Sequence, residues 1–176
     1  MIGDSISRDY RGCLSALSGK PVDFFAGSAD VNDKAFWRCL ELFFSYSEYR
    51  QTKAQIQIGV NGIDSVGNAV CTYDLTSWES SYEKLVTFVL NYIPNLTIAL
   101  TTPVCRKDNI EAIDDKVNNE IIKRNMIAKK IAEKYGLPVN DLYTLMYNEP
   151  HRDWVHFPKS GSEKIARKVA EVMKLL

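Results

Sequence analysis

Strand-like and helix-like patterns alternate along the whole chain, and each strand-like run stops at a small or polar residue. Met1-Ile2 runs into Gly3-Asp4-Ser5, and Val22–Phe25 into Ala26-Gly27-Ser28. Gln55–Ile58 meets Gly59-Val60-Asn61-Gly62, and Leu96–Leu100 meets Thr101-Thr102-Pro103-Val104. Pro138–Leu142 is the last strand candidate. Helical stripes fill the intervals. Arg8–Leu17 is closed by Ser18-Gly19-Lys20-Pro21, and a second helix carries Phe36, Leu40, Phe43 and Phe44 on one side. A third is opened by a Thr76/Glu79 capping box, buries Tyr82, Leu85, Val86, Val89 and Leu90, and is stopped by Pro94. A fourth aligns Val117, Ile121, Ala128, Ile131 and Tyr135 and ends at Gly136 and Pro138. The last begins at Ser160, boxed by Glu163, and buries Ile165, Val169 and Val172. Such alternation demands a parallel sheet covered by helices on both faces, because parallel strands need long crossovers. The pattern predicts an α/β chain of about five strands and five or six helices in one domain, residues 1–176.

Open sheets of this kind bind ligands beyond the carboxyl ends of their strands. Ser5, Gly27, Asn61 and Thr102 each fall just after a strand candidate, so all four are expected along one edge.

Charge and composition exclude several partners. Twenty-two basic residues balance twenty-two acidic ones, so no excess of positive charge points to nucleic acid or an anionic membrane. The apolar runs are too short and interrupted to span a bilayer. Met1 is followed almost at once by the Gly-Asp-Ser turn, and no signal peptide is visible. The chain as it stands reads as cytoplasmic, unless a longer natural beginning carried an export signal. Cys13, Cys39, Cys71 and Cys105 form no Cys-x-x-Cys pair and no cysteine–histidine cluster, so they are expected as reduced thiols, with no metal and no cofactor.

The chemistry gathers at the two ends. Ser5 opens the first helix, and His156 lies three residues beyond Asp153 near the other end. A serine hydroxyl is too weak an acid to attack an ester unaided. An imidazole that takes its proton, held by a carboxylate on the far ring nitrogen, removes that obstacle. Other readings of the same residues are open: Asp4 and Ser5 are good helix caps, and Asp153-Trp154-Val155-His156 also suits a surface loop before the last helix. The other histidine, His151, has no acid three residues before it. Trp154 sits inside the Asp-x-x-His turn and is expected beside any bound substrate, whereas Trp37 and Trp78 read as packing residues.

Gly3-Asp4-Ser5, Gly27, Gly59-Val60-Asn61 and Asp153-Trp154-Val155-His156 resemble, in order and approximate spacing, the blocks of the SGNH (GDSL-type) hydrolases. Thr101–Val104, Pro138–Tyr143 and Val155–Phe157 are similar to those of its small bacterial carbohydrate-esterase branch. The resemblance implies a three-layer α/β/α sandwich with a five-stranded parallel sheet, a flavodoxin-like fold. It implies hydrolysis of small acyl esters, often acetyl groups on sugars, without a metal. Ser5 would be nucleophile, His156 general base and Asp153 its orienting acid. The oxyanion donors would be the backbone N–H groups of Ser5 and Gly27 and the side-chain amide of Asn61, with Thr102 and Trp154 near the substrate. The partner implied is an acylated small molecule or glycan. One departure stands out: the family has an acid directly after this asparagine, and here Gly62 takes its place, with Asp64 two residues on. An esterase or thioesterase for lipid or other small acyl groups, or a non-catalytic carbohydrate-binding protein on the same fold, are the competing functions.

Overall fold

The computed structural model describes residues 1–26, 30–46, 52–63 and 71–175. Five strands form one parallel sheet in the order β2-β1-β3-β4-β5: β1 Ile2–Gly3, β2 Phe25–Ala26, β3 Ala54–Gln57, β4 Leu96–Ala99 and β5 Val139–Asn140. The register places Ile2 between Phe25 and Ile56, and Ile98 between Ile56 and Val139. Six helices are described: α1 Ser5–Ser18, α2 Lys34–Ser45, α3 Leu75–Leu90, α4 Asp115–Lys134, α5 Leu142–Met146 and α6 Lys159–Val172. No described helix is long and apolar enough to cross a membrane.

The two faces of the sheet are covered by different helices. Ile2, Ile56 and Ile98 pack with Phe36 and Leu40 of α2, Trp78, Tyr82, Leu85 and Val89 of α3, and Ala128 and Ile131 of α4. On the other side Ile6, Tyr10 and Leu14 of α1 pack with Leu142 and Met146 of α5 and Ile165, Ala166 and Val169 of α6. The result is the α/β/α layering expected from the alternation. Trp78 is buried and stacked on Tyr82 at 4.7 Å, and the Trp37 indole donates to the Val31 carbonyl, so both tryptophans are packing residues.

The apolar–polar alternation of β3 does not mark a solvated face. Gln55 and Gln57 are fully buried beneath α1, where the Tyr10 hydroxyl and Ser7 Oγ donate to Gln57 Oε1, and Gln55 Nε2 donates to Tyr10 Oη. Asn140 of β5 donates to Gln55 Oε1 at 3.1 Å and extends this polar seam across the sheet. The seam bonds partly within itself, and Gln57 Nε2 and Asn140 Oδ1 have no hydrogen-bond partner among the described residues.

Several element ends differ from expectation. α1 begins at Ser5 rather than Arg8, because the Asp4 carboxylate accepts the Ile6 N–H and caps the first turn. α3 is capped by Asp74, which accepts from Ser77 N and Ser77 Oγ at 2.8 Å each, so the Thr76/Glu79 box is displaced by a competing acid two residues earlier. α6 starts at Lys159 after Pro158 with no side-chain cap, and Glu163 instead lies 4.0 Å from Lys159 Nζ. β2 is confined to Phe25–Ala26, the two residues that pair with the equally short β1.

Candidate active site

Ser5 is positioned by what precedes it. β1 ends at Gly3, where a Cβ would stand 2.2 Å from Ser7 Oγ, so only glycine permits this strand-to-helix turn. Asp4 then caps α1 from a fully buried position, and Ser5 becomes the helix's first residue. Its backbone N–H belongs to the turn whose donors have no partner inside the helix.

His156 reaches it from the segment before α6. The Asp153 carboxylate accepts the N–H groups of Val155 at 3.0 Å and His156 at 2.8 Å, while the His156 carbonyl accepts the Arg152 N–H at 2.7 Å. Val155 and Phe157, on either side of His156, are buried and anchor the turn in the core. The Trp154 carbonyl accepts the Cys105 N–H at 2.8 Å, tying the turn to the segment after β4.

Across 151 positions of sequence, the Ser5 hydroxyl lies 2.6 Å from His156 Nε2. His156 Nδ1 lies 2.9 Å from both Asp153 oxygens. Burial by itself would raise the Asp153 pKa, but the N–H groups of His156 and Val155 and the imidazole outweigh it and hold the carboxyl at about 2. An ionised Asp153 keeps the ring proton on Nδ1, leaving Nε2 to accept the Ser5 O–H. Asp4 behaves oppositely. Complete burial pushes it up to about 6, against the opposing pull of the Ile6 and Ser7 N–H groups.

The remaining candidates divide. Gly27 and Asp64 lie outside the described residues. Asn61 lies four residues past Gln57, which pairs with Gly3 of β1. Its carbonyl accepts a 2.6 Å hydrogen bond from Arg124 Nη1, which also reaches the Gly59 carbonyl at 3.0 Å. Trp154 is half-buried beside the His156 turn, with Lys107 Nζ 4.6 Å from its ring centre. Thr102 follows β4 at the expected edge but is 0% exposed, and its Oγ1 has no hydrogen-bond partner among the described residues. His151 is buried, its ring nitrogens 3.1 and 3.2 Å from the carbonyls of Glu149 and Pro103, and its ring packs on Phe157.

Three supporting residues beyond the sequence candidates lie on α4. Asn125 Oδ1 accepts the Thr101 N–H and its Nδ2 donates to the Thr101 carbonyl, and Asn118 does the same for Val104. Arg124 is the third. The signal was available, since position 124 completes the stripe 117, 121, 128, 131 at helical spacing, and a charge on a buried stripe requires partners.

No protein-family model and no curated protein matches the chain. Solved structures do. A member of the lipolytic G-D-S-L family from Veillonella parvula superposes with a TM-score of 0.75 at 20% identity, over 99% of this chain and 97% of that one. An acetyl xylan esterase gives 0.71 at 17% identity, over 97% of each chain. A mutant of an acetyl-xylooligosaccharide esterase from Geobacillus gives 0.71 at 16%, over 98% of this chain and 91% of that one. At these identities the likeness is one of fold.

Proposed function

We propose that this chain, residues 1–176, is one SGNH-type serine hydrolase domain that cleaves small acyl esters, with acetyl groups on carbohydrate as its substrates. The observation that carries the reading is the continuous contact from Asp153 through His156 to the Ser5 hydroxyl, with distances of 2.9 and 2.6 Å. A likeness in fold to esterases, among them an acetyl xylan esterase and an acetyl-xylooligosaccharide esterase, favours the same substrate class.

In this mechanism Ser5 Oγ attacks the ester carbonyl while His156 Nε2 takes its proton. The imidazolium is stabilised by ionised Asp153, whose low pKa keeps it from claiming the proton. The carbonyl oxygen gains negative charge at the amino end of α1, where the Ser5 N–H and the helix dipole favour it, with Gly27 and the Asn61 amide as further donors. Collapse expels the alcohol, protonated by His156, and leaves acyl-Ser5. Water, deprotonated by His156, attacks the acyl carbon and returns Ser5 to its hydroxyl. Trp154 flanks the sugar or other leaving group.

The test is hydrolysis of 4-nitrophenyl acetate, followed by acetylated sugars, acetylated xylo-oligosaccharides and longer-chain esters. The proposal expects turnover that falls with acyl length and is lost in Ser5→Ala. A preference for long acyl chains would move the assignment to lipid esters. Absence of any leaving-group release, with sugar binding retained, would make the chain a binding protein.

A further inference from the structure

Arg124 is a large cation buried in the layer behind the sheet, 1% exposed, with Asp30 as its ionic partner at 3.5 Å. Such a pair is a poor device for stability. Desolvation of both charges offsets their attraction, and an apolar pair of equal volume does as well or better. What an apolar pair cannot do is hold carbonyl oxygens. Arg124 Nη1 holds two, those of Gly59 and Asn61, on either side of Val60. This holds the Gly59–Val60 and Asn61–Gly62 peptides, the second of them directly after the residue that carries the side-chain amide. The guanidinium is itself located, 5.2 Å from the ring centre of Trp78, which stacks on Tyr82.

Asp30 completes the arrangement from the segment after β2. One of its oxygens accepts the Asn32 N–H and Nδ2–H at 2.9 and 2.7 Å. The other faces Arg124 and occupies the place a side chain at 62 would need, since a Cβ on Gly62 would stand 2.3 Å from Asp30 Oδ2. Gly62 also has φ +78°, a left-handed conformation that glycine adopts without strain. A carboxylate therefore stands beside this turn, delivered through space by Asp30 rather than by position 62.

We propose that Arg124, oriented by Asp30, is a positioning residue that holds Asn61 in register for the developing oxyanion. The inference rests on the esterase reading above. Its test is a double-mutant cycle on 4-nitrophenyl acetate hydrolysis using Asn61→Ala, Arg124→Lys and their combination, with circular dichroism to verify folding. Lysine keeps the charge but not the rigid planar fork. Removing one oxyanion donor costs about 10²–10³-fold in kcat. Misaiming it through Arg124→Lys should cost about 10- to 100-fold in kcat, with KM little changed. In the Asn61→Ala background the same change should cost less than about twofold, because residues acting through one another are not additive. Equal losses in both backgrounds would overturn the proposal while leaving the esterase reading intact. An inactive wild type whose Ser5 a fluorophosphonate does not label would remove both. Should Arg124→Lys not fold, the isosteric Asp30→Asn takes its place in the cycle, with the same outcomes deciding.

Discussion

His156 and His151 lie five positions apart and have opposite surroundings. His156 is partly open, bridging Asp153 and the Ser5 hydroxyl. His151 is closed in, packed on Phe157 with both ring nitrogens facing carbonyls. Replacing each by alanine should therefore separate chemistry from stability. His156→Ala removes the acceptor of the Ser5 proton and should lower kcat for an acetyl ester by about 10²–10⁴-fold, with Tm nearly unchanged. His151→Ala leaves a buried carbonyl without its donor and a gap beside Phe157, so it should lower stability by about 1–3 kcal/mol while the folded protein keeps most of its kcat. Paired measurements of kcat and Tm check this, and a reversed ranking of kcat would identify the wrong base. Ser5, Asp153 and His156 could be singled out in the sequence because an activated hydroxyl needs those residue types. Arg124 was legible only as a charge on a buried stripe, and not by what it holds, because neither it nor Asp30 is seen to touch the reacting atoms: Arg124 bonds a backbone distant in sequence and Asp30 faces Arg124.

Among the elements, α4 does more than cover the sheet. Asn118 and Asn125, one face apart from its apolar stripe, each clasp both backbone groups of a residue after β4, Val104 and Thr101. A segment leaving a strand loses its ladder partners, and these amides replace them where water cannot. Asn125→Ala would leave a buried N–H and a buried carbonyl of Thr101 unpaired. Each such group costs about 1–3 kcal/mol, so the variant should lose at least about 2 kcal/mol by urea unfolding. Lys129→Ala, on the exposed side of the same helix, should change stability by less than about 0.5 kcal/mol, because its 3.7 Å pairing with Asp141 is solvent-exposed. Comparable losses in the two variants would deny the clasp its role. Helices and their buried faces were legible because a 3.6-residue period is a local property, written in Val117, Ile121, Ala128 and Ile131. Caps were not: Asp74, Thr76 and Ser77 compete within four positions, and tertiary geometry selects the winner. Nor were the limits of β2 and β5, since a two-residue strand exists only by virtue of the neighbour it pairs with.

At the scale of the whole molecule, the candidate site is assembled from the two ends of the sequence, with α1 and α6 packed side by side through Ile6, Tyr10, Leu14, Ile165 and Val169. One consequence is that a buried acid, Asp4, sits at this junction directly before Ser5, and it should dominate a measurable pH dependence. Burial raises its folded pKa to about 6 from 3.8. The folded state thus binds this proton more tightly than the unfolded chain. The stability so gained is fully present below about pH 3.8 and is lost as pH rises through 6. The shift corresponds to about 3 kcal/mol between those limits. Asp153, held at about 2, has the reverse sign: its contribution is present above 3.8 and is lost as pH falls through 2. The two windows do not overlap, so they can be measured separately. Asp4→Asn retains an oxygen to accept the Ile6 N–H, and its cap is as good as aspartate's, but it cannot ionise. Its unfolding free energy minus that of wild type should therefore rise between pH 4 and 7 by up to about 3 kcal/mol, because groups common to both proteins cancel in the difference. Urea titrations of the two proteins at half-unit steps of pH would give that curve. A flat difference would mean that Asp4 ionises in the folded protein as easily as in the unfolded one, and that its burial carries no electrostatic cost at the junction where the chain ends meet.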